Sequence, residues 1–386
     1  MVRRLIKPLK SNSFFLFGAR GTGKSTFVRG YLPKDSLYLD LLDESLYDEL
    51  LREPKRLERM SQEHKHNWII IDEVQRLPRL LNIVHRLIEA NGQKFALTGS
   101  SGRKLKRGAG NLLAGRAFMN TLFPFTTLEL QDHFDLNQAL SWGTLPKILN
   151  LSSADEKKAY LRSYALAYVR EEIQIEQVVR KLEPFREFLA VAAQSSGQIV
   201  NFSAVSRDVG VEVPTVQNYF QILEDTYLGF LLPHFHRSIR KSQIHSPKFY
   251  FFDNGLKRSL EGSLDSLPIE GTFQFGSLFE AYIIQEIYRL NDYFHKDFRL
   301  SFFRTKNDAE IDLILSKGQR TILIEIKSST RVDEIEVRKL ARLKTEFGKQ
   351  VTAYYLSRDP LESEIDGVKC RFWRQFLDSE FQSSKT

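Results

Sequence analysis

Apolar residues in this chain come in two rhythms, and the change from one to the other marks out the elements. Short unbroken apolar runs, "FFLF" at Phe14–Phe17, "WIII" at Trp68–Ile71 and "FAL" at Phe95–Leu97, suit buried strands. "STFVRGYL", after the first of them, continues as a helix, and "SSADEKKAYLRSYALAYVREEIQIEQVV" carries apolar positions at helical spacing. In "NFSAVSRDVGVEVPTVQNYFQILEDTYLGFLLP" a short helix ends near Gly210, and Pro214 suits the first turn of a second helix. "GFLLPHF" and "KFYFFD" then read as strands. Further on, "GSLFEAYIIQEIYRL" is a helix and "AEIDLIL" and "TILIEIK" are strands. In the last, Ile322, Ile324 and Ile326 alternate with Leu323, Glu325 and Lys327. An amphipathic "DEIEVRKLARLKTEF" and a strand-like "VTAYYLS" close the series.

The loop after the first strand carries the strongest chemistry. Gly18, Gly23, Lys24 and Ser25 satisfy G-x-x-x-x-G-K-[ST], within the segment Gly18, Ala19, Arg20, Gly21, Thr22, Gly23, Lys24, Ser25, Thr26. Backbone N–H groups must turn inward on an anion, which needs glycine where a Cβ would clash. Lys24 supplies charge to the β- and γ-phosphates, and the Ser25 hydroxyl completes the shell of a magnesium ion. The helix that follows points its N-terminus at the phosphates.

Asp72 and Glu73 end the second apolar strand. In such a site Asp72 holds magnesium through its water shell and Glu73 polarises the attacking water. After the third strand, Thr98 or Ser100 can sense the γ-phosphate, although hydroxyls there also suit a helix cap. Arg116 in "NLLAGRAF" is a candidate finger for transition-state charge, in cis or in trans, or an ordinary surface arginine.

The run "FGARGTGKST … WIIIDEVQ … FALTGSS … LLAGRA … LFPFTTLEL … WGTLP" resembles the AAA-type ATPases of bacteria and archaea. It looks like the branch with a winged-helix segment and a C-terminal domain of unknown function. The resemblance spans nearly the whole chain and implies ATP binding with magnesium.

Bulk properties refine this. The chain has 386 residues, room for several domains, and its 42% hydrophobic content is ordinary for a globular protein. A formal charge of +8 points mildly to a polyanionic partner, since acids are abundant too. The single cysteine, Cys370, excludes an internal disulfide and agrees with a reducing cytoplasm. No apolar run is long enough to span a membrane, and the histidines, among them His64/His66 and His234/His236, lack companions at metal spacing.

The Gly210 turn has helix-turn-helix spacing, and the two strands after it can form a wing. Thr215, Gln217 and Asn218 would then face a DNA major groove, with Arg237, Arg240 and Lys241 as the basic contacts. A winged fold that only packs domains together remains the alternative.

In "TILIEIK", burial of the three isoleucines presents Glu325 and Lys327 on one face, about 7 Å apart along the strand. "AEIDLIL" delivers Asp312 beside them, and the preceding helix offers Glu280, with Glu286 as competitor. A cross-strand ion pair on an exposed face would use the same residues. This arrangement resembles the restriction-endonuclease-like superfamily. That resemblance implies Asp312 and Glu325, with Glu280, as magnesium ligands and Lys327 as the group that orients a water nucleophile; Ile311 departs from it by standing where a proline is usual.

The expected architecture is α/β: an AAA-type P-loop NTPase parallel sheet over residues 1–134, a helical connector over 135–184, a winged helix-turn-helix over 185–255, and a small α/β restriction-endonuclease-like domain over 256–386. The expected function is ATP binding and hydrolysis, acting on nucleic acid, DNA rather than RNA, through a magnesium-dependent nuclease-like domain. The alternative is an ATP-dependent regulator or signalling switch whose C-terminal domain is an inactive binding module. Partners are ATP and nucleic acid with no membrane, a homo-oligomer is compatible, and the expected compartment is the cytoplasm.

Overall fold

The computed structural model describes residues 2–63, 67–102, 113, 115–175, 182–236, 245–305, 309–348 and 350–382, with backbone only for 168–175. The chain opens with β1 (Ser13–Phe17), α1 (Lys24–Tyr31), β2 (Leu37–Asp40), α2 (Glu44–Arg52), α3 (Arg56–Glu63), β3 (Trp68–Asp72), α4 (Leu80–Asn91), β4 (Lys94–Gly99) and β5 (Ala117–Thr121). The strands form one sheet in the order β2-β3-β4-β1-β5, and every pairing is parallel. Side-chain alternation sorts the apolar runs between two layers. Phe15, Phe17, Ile69 and Ile71 pack with the helices α2 to α4, while Phe14, Leu16 and Ile70 pack with Val28 of α1. Covering both faces is why these strands read as continuous apolar runs rather than alternating ones.

Parallel pairing also brings the C-terminal ends of β1, β3 and β4 to one edge, where α/β sheets bind their ligands. The phosphate-loop segment, Asp72–Glu73 and Thr98–Ser100 all leave the sheet there.

Next come α5 (Thr127–Leu130), α6 (Leu136–Trp142), α7 (Pro146–Leu149), α8 (Ala154–Ile175), α9 (Leu182–Gln194), α10 (Phe202–Val209) and α11 (Val213–Asp225). An antiparallel ribbon of β6 (Gly229–Leu232) and β7 (Lys248–Phe251) follows, then α12 (Asn254–Leu260). Gly210 sits at φ 69° between α10 and α11, a conformation glycine takes without a Cβ penalty. The core of this unit is aromatic. Phe185 meets Tyr219, and Phe188 meets Phe220, each edge-to-face at 4.9 Å. Arg237, Arg240 and Lys241, the basic contacts expected from the sequence, lie outside the described residues, as do His64 and His66.

The last unit is α13 (Phe273–Tyr293), β8 (Arg299–Arg304), β9 (Glu310–Lys317), β10 (Arg320–Ile326), α14 (Glu334–Phe347), β11 (Val351–Ser357), β12 (Ser363–Ile365), β13 (Val368–Phe372) and α15 (Trp373–Leu377). Its six strands run in the order β12-β13-β11-β10-β9-β8. Ile322, Ile324 and Ile326 pack with α13, as expected. The other face differs from expectation: Leu323 is fully buried against Val337 and Leu340 of α14. Glu325 is therefore on a covered strand, not an exposed one.

Helix α13 ties the units together. The Thr127 N–H donates to Glu286 at 2.7 Å, and the Phe123 N–H donates to the Tyr293 hydroxyl at 3.0 Å. Its apolar face shares a core with Leu128, Leu140, Phe230 and Tyr250.

Candidate functional site

At the C-terminal edge of the first sheet, Gly18, Gly21 and Gly23 adopt φ of 154°, 77° and 93°. A Cβ on Gly18 would lie 2.2 Å from the Leu122 carbonyl oxygen, so the loop passes where only glycine fits. Thr22 donates to the Ala19 carbonyl at 2.9 Å and closes the turn, while Ala19 is buried in the core of the following helical unit. Arg20 is exposed, but its carbonyl accepts the Tyr164 hydroxyl at 2.8 Å. Lys24 is buried and its ammonium donates to the Gly18 and Ala19 carbonyls at 2.9 and 3.2 Å. No side chain caps α1, and its first turn holds no acid, so its N–H groups face the cradle. These features fit a phosphate chain. Thr26 is exposed.

Beside the loop, the Tyr38 hydroxyl bonds the Asp72 carboxylate and lies in hydrogen-bonding reach of Ser25 and Arg29. Ser25 and Asp72, far apart in sequence, thus flank one tyrosine hydroxyl, where a hard cation with its water would be held. Burial, then Asp72, pushes the Tyr38 phenol up to about 12. Thr98 donates to Asp72 as well. Glu73 sits at φ 56°, an unusual conformation for a non-glycine residue, with its N–H donating to Asp72 Oδ1 at 3.1 Å. Its carboxylate is held by the Gln75 amide and by Ser100 Oγ at 3.3 Å, and Gln75 Nε2 reaches Ser100 Oγ at 3.0 Å. Ser100 therefore contacts Glu73, and Thr98 contacts Asp72. Sequence assigns no role to Tyr38 or Gln75; only their contacts with the two acids reveal them.

Arg116 lies away from the loop of its own chain, which bears on the finger reading only in cis. It immediately precedes β5, whose Ala117 pairs with Ser13 at the start of β1, and its guanidinium bonds Glu89 at the end of α4. That is the opposite edge of the sheet, about 17 Å from the loop at ~3.3 Å per strand residue. At that distance it does not reach the phosphates of its own chain, and the in-trans form of the finger is unaffected.

The second cluster joins three elements. Asp312, near the start of β9, accepts the Ile326 N–H at 2.8 Å, which sets it beside the end of β10. Lys327 bonds Glu325. Glu280 on α13 accepts the Tyr250 hydroxyl at 3.0 Å and lies 3.6 Å from Lys248 Nζ. Glu286, the sequence competitor, is instead paired with Arg289 at 3.1 Å and serves the junction with Thr127. Burial, reinforced by Asp312, holds the Glu280 and Glu325 carboxyls well above the usual range, and burial raises Asp312 too. Burial alone would lower Lys327, but Asp312 and Glu325 outweigh it and raise it.

Buried, mutually repelling carboxylate oxygens suit a hard divalent cation. Asp312 and Glu325 are the pair that would hold one. Glu280 is engaged by Tyr250 and Lys248, and among the described residues no set of three or more His, Cys, Asp or Glu side chains is arranged as a metal cluster. The expected third ligand is thus not brought into the set. No helix among the described residues is long and apolar enough to cross a membrane.

Comparison with known proteins places these units. Residues 133–266 match one domain of unknown function (DUF8612) and residues 275–370 another (DUF4143). The chain is 26% identical over 266 residues to an uncharacterized protein of Mycobacterium tuberculosis, covering 68% of this chain and 59% of that protein, less than two thirds of its length. An uncharacterized protein of Haemophilus influenzae is 22% identical over 385 residues, with 91% and 90% covered. Among solved structures, the Aeropyrum pernix ORC2 protein is 13% identical at a TM-score of 0.25, covering 66% of this chain and 89% of that one. Protein VC1899 from Vibrio cholerae is 12% identical at 0.23, covering 91% and 99%. Scores this low carry no argument. Residues 10–131 match the AAA domain family, and with the parallel sheet and its glycine loop they form an AAA-type P-loop domain.

Proposed function

We propose that the chain binds and hydrolyses ATP at the Gly18–Ser25 loop and uses the nucleotide state to control a helix-turn-helix unit and a C-terminal domain that act on nucleic acid. The observation that carries the first part is the convergence of Lys24, Ser25, Asp72 and Glu73 at one sheet edge. Lys24 would hold the phosphates, Ser25 and Asp72 the magnesium, and Glu73, steadied by Gln75 and Ser100, the attacking water. Bound magnesium would screen charge on the phosphates.

The same edge touches the helix-turn-helix unit. The Tyr227 ring stacks on Phe17 at 6.0 Å, and the Gly102 N–H donates to the Asp225 carbonyl at 3.2 Å. A change at Ser100 is therefore felt two residues away by the end of α11. We read α9 to α11 with the β6–β7 ribbon as a winged helix. Thr215, Gln217 and Asn218 are half-exposed or exposed on α11, which carries no lysine or arginine, so base contacts there would need phosphate contacts from elsewhere.

We read the αβββαβ series from α13 to β11 as a restriction-endonuclease-like domain. Asp312 and Glu325 would hold magnesium and Lys327 would orient a water toward a phosphodiester. The two-carboxylate set favours a second reading, in which this domain binds without cleaving.

The test is ATP turnover together with nucleotide binding. Lys24→Ala should lose both, whereas Glu73→Gln should keep ATP affinity and lose turnover. Unchanged turnover in both variants overturns the assignment. Plasmid nicking with magnesium or manganese, abolished by Asp312→Ala, separates the nuclease reading from the binding module.

A further inference from the structure

Between the helix-turn-helix unit and the C-terminal sheet runs a cleft of about 750 Å3. One wall is the turn after α9 with β7, the other is the first turns of α13, and α12 closes one side. Its floor is Lys248, which lies 2.5 Å from Glu310 and 3.6 Å from Glu280, so it ends against the carboxylate cluster. At its lip stands Phe273, 85% exposed, the most exposed large apolar side chain among those described. The remaining lining is rich in neutral hydrogen-bonding groups such as Gln198, Gln274 and Ser277.

We infer that this cleft is a binding site for an unpaired nucleotide of a single-stranded nucleic acid, with the base stacked on Phe273 and the backbone led toward Asp312 and Glu325. Four observations carry it. The volume falls in the ~300–1,000 Å3 range of sites for small guests, enough for a nucleotide and too little to enclose a duplex. An exposed phenyl ring at a polar mouth offers a π-face, and only an unpaired base has a free one to offer in return. Amide and hydroxyl groups can meet base edges, which carry both donors and acceptors. Glu280 lines the cleft and is close enough to Asp312 for the two carboxylates to repel, which sets the cleft beside the acidic site.

The charge balance adds a distinguishing property. Lys257 pairs with Glu261 at 2.5 Å, Lys248 spans Glu280 and Glu310, and Arg304, which also lines the cleft, lies 3.9 Å from Glu310, so three cations face three carboxylates. Paired charges leave the cleft close to neutral, so stacking and amide contacts, not counterion release, carry the affinity. Its salt dependence is then shallow compared with the slope of roughly 0.7 per phosphate contact on single strands.

This inference rests on the nucleic-acid reading above, and the experiment separates the two. Fluorescence anisotropy is measured on the full chain, in chelator, with a fluorescein-labelled oligothymidylate and with a labelled duplex. Phe273→Ala should weaken single-strand binding by about 5- to 150-fold, the range for one lost base stack, with unchanged duplex binding and ATP affinity. Ser277→Trp, which fills the cleft from α13, should abolish single-strand binding; circular dichroism confirms that both variants are folded. Wild-type affinity for the single strand in both variants overturns the inference, as does binding of duplex alone. If the wild-type chain binds neither probe, the nucleic-acid reading itself falls and takes the cleft with it.

Discussion

Glu325 offers the sharpest test of the C-terminal site, because it needs no knowledge of substrate. Its carboxyl is pushed up to about 8 by burial and by Asp312, against the opposing pull of Lys327. An acid whose folded pKa is raised binds a proton in the native state that the unfolded chain has released. Stability therefore falls as pH rises from the unfolded value near 4.5 through about 8, and the penalty is complete above that. At ~1.4 kcal/mol per pKa unit, the gap amounts to about 5 kcal/mol at alkaline pH as an upper bound, since Asp312 and Lys327 relax when one charge goes. Glu325→Gln keeps the shape and removes the charge. In chelator at pH 9 the variant should be more stable than wild type by a few kcal/mol, with the difference vanishing near pH 4. Urea unfolding across pH reads this directly. Manganese should then stabilise the wild type and leave the variant nearly unmoved, because a bound cation would relieve the same repulsion. A variant that is less stable at pH 9, or that keeps the wild-type pH slope, refutes the reasoning. Glu325 would then be one half of an ordinary ion pair with Lys327.

Two further outcomes follow from other parts of the fold. Gly18→Ala forces a Cβ against the Leu122 carbonyl, so titration calorimetry should show ATP affinity reduced by at least about tenfold, through a shifted loop. Glu129 is buried, pairs with Arg4 at 3.0 Å and accepts the Leu5 and Thr126 N–H groups at 2.9 Å each. Glu129→Ala takes the only carboxylate paired, among the described residues, with a largely buried guanidinium and leaves it the Thr22 and Phe123 carbonyls. It should cost about 3–5 kcal/mol in urea unfolding, whereas a loss under ~1 kcal/mol would show the pair to be solvated.

Some features are legible in the chain because their cause is local. The glycine loop is one: its φ values demand glycine at Gly21 and Gly23 whatever packs around them, and its lysine and serine follow within two residues. The acids at the end of β3 and the turn at Gly210 are equally local. So is the order of helices and strands around Asp312 and Glu325, since each follows from the spacing of its own apolar residues.

Other features depend on which strand lies beside which. Sequence leaves open whether Arg116 would act in cis or in trans, and only the parallel pairing of β5 with β1, which carries it to the far edge of the sheet, speaks against the first. Glu280 and Glu286 are equivalent acids in sequence. Six residues at 100° each place them on different faces of α13, and only packing shows that the first meets Tyr250 and the second meets Thr127. Period-2 alternation in β10 points to one buried face, but α14 covers the other, and a helix arriving from elsewhere leaves no mark in the strand it covers. Tyr38, Gln75 and Lys248 are given no role by the sequence for the same reason: each meets a partner tens of positions away, Asp72, Ser100 and Glu280 in turn. The sequence by itself determined the backbone of the phosphate loop and the identity of its acids. Tertiary structure decided which side chains share a site, because that depends on strand order and helix face, which no local pattern encodes.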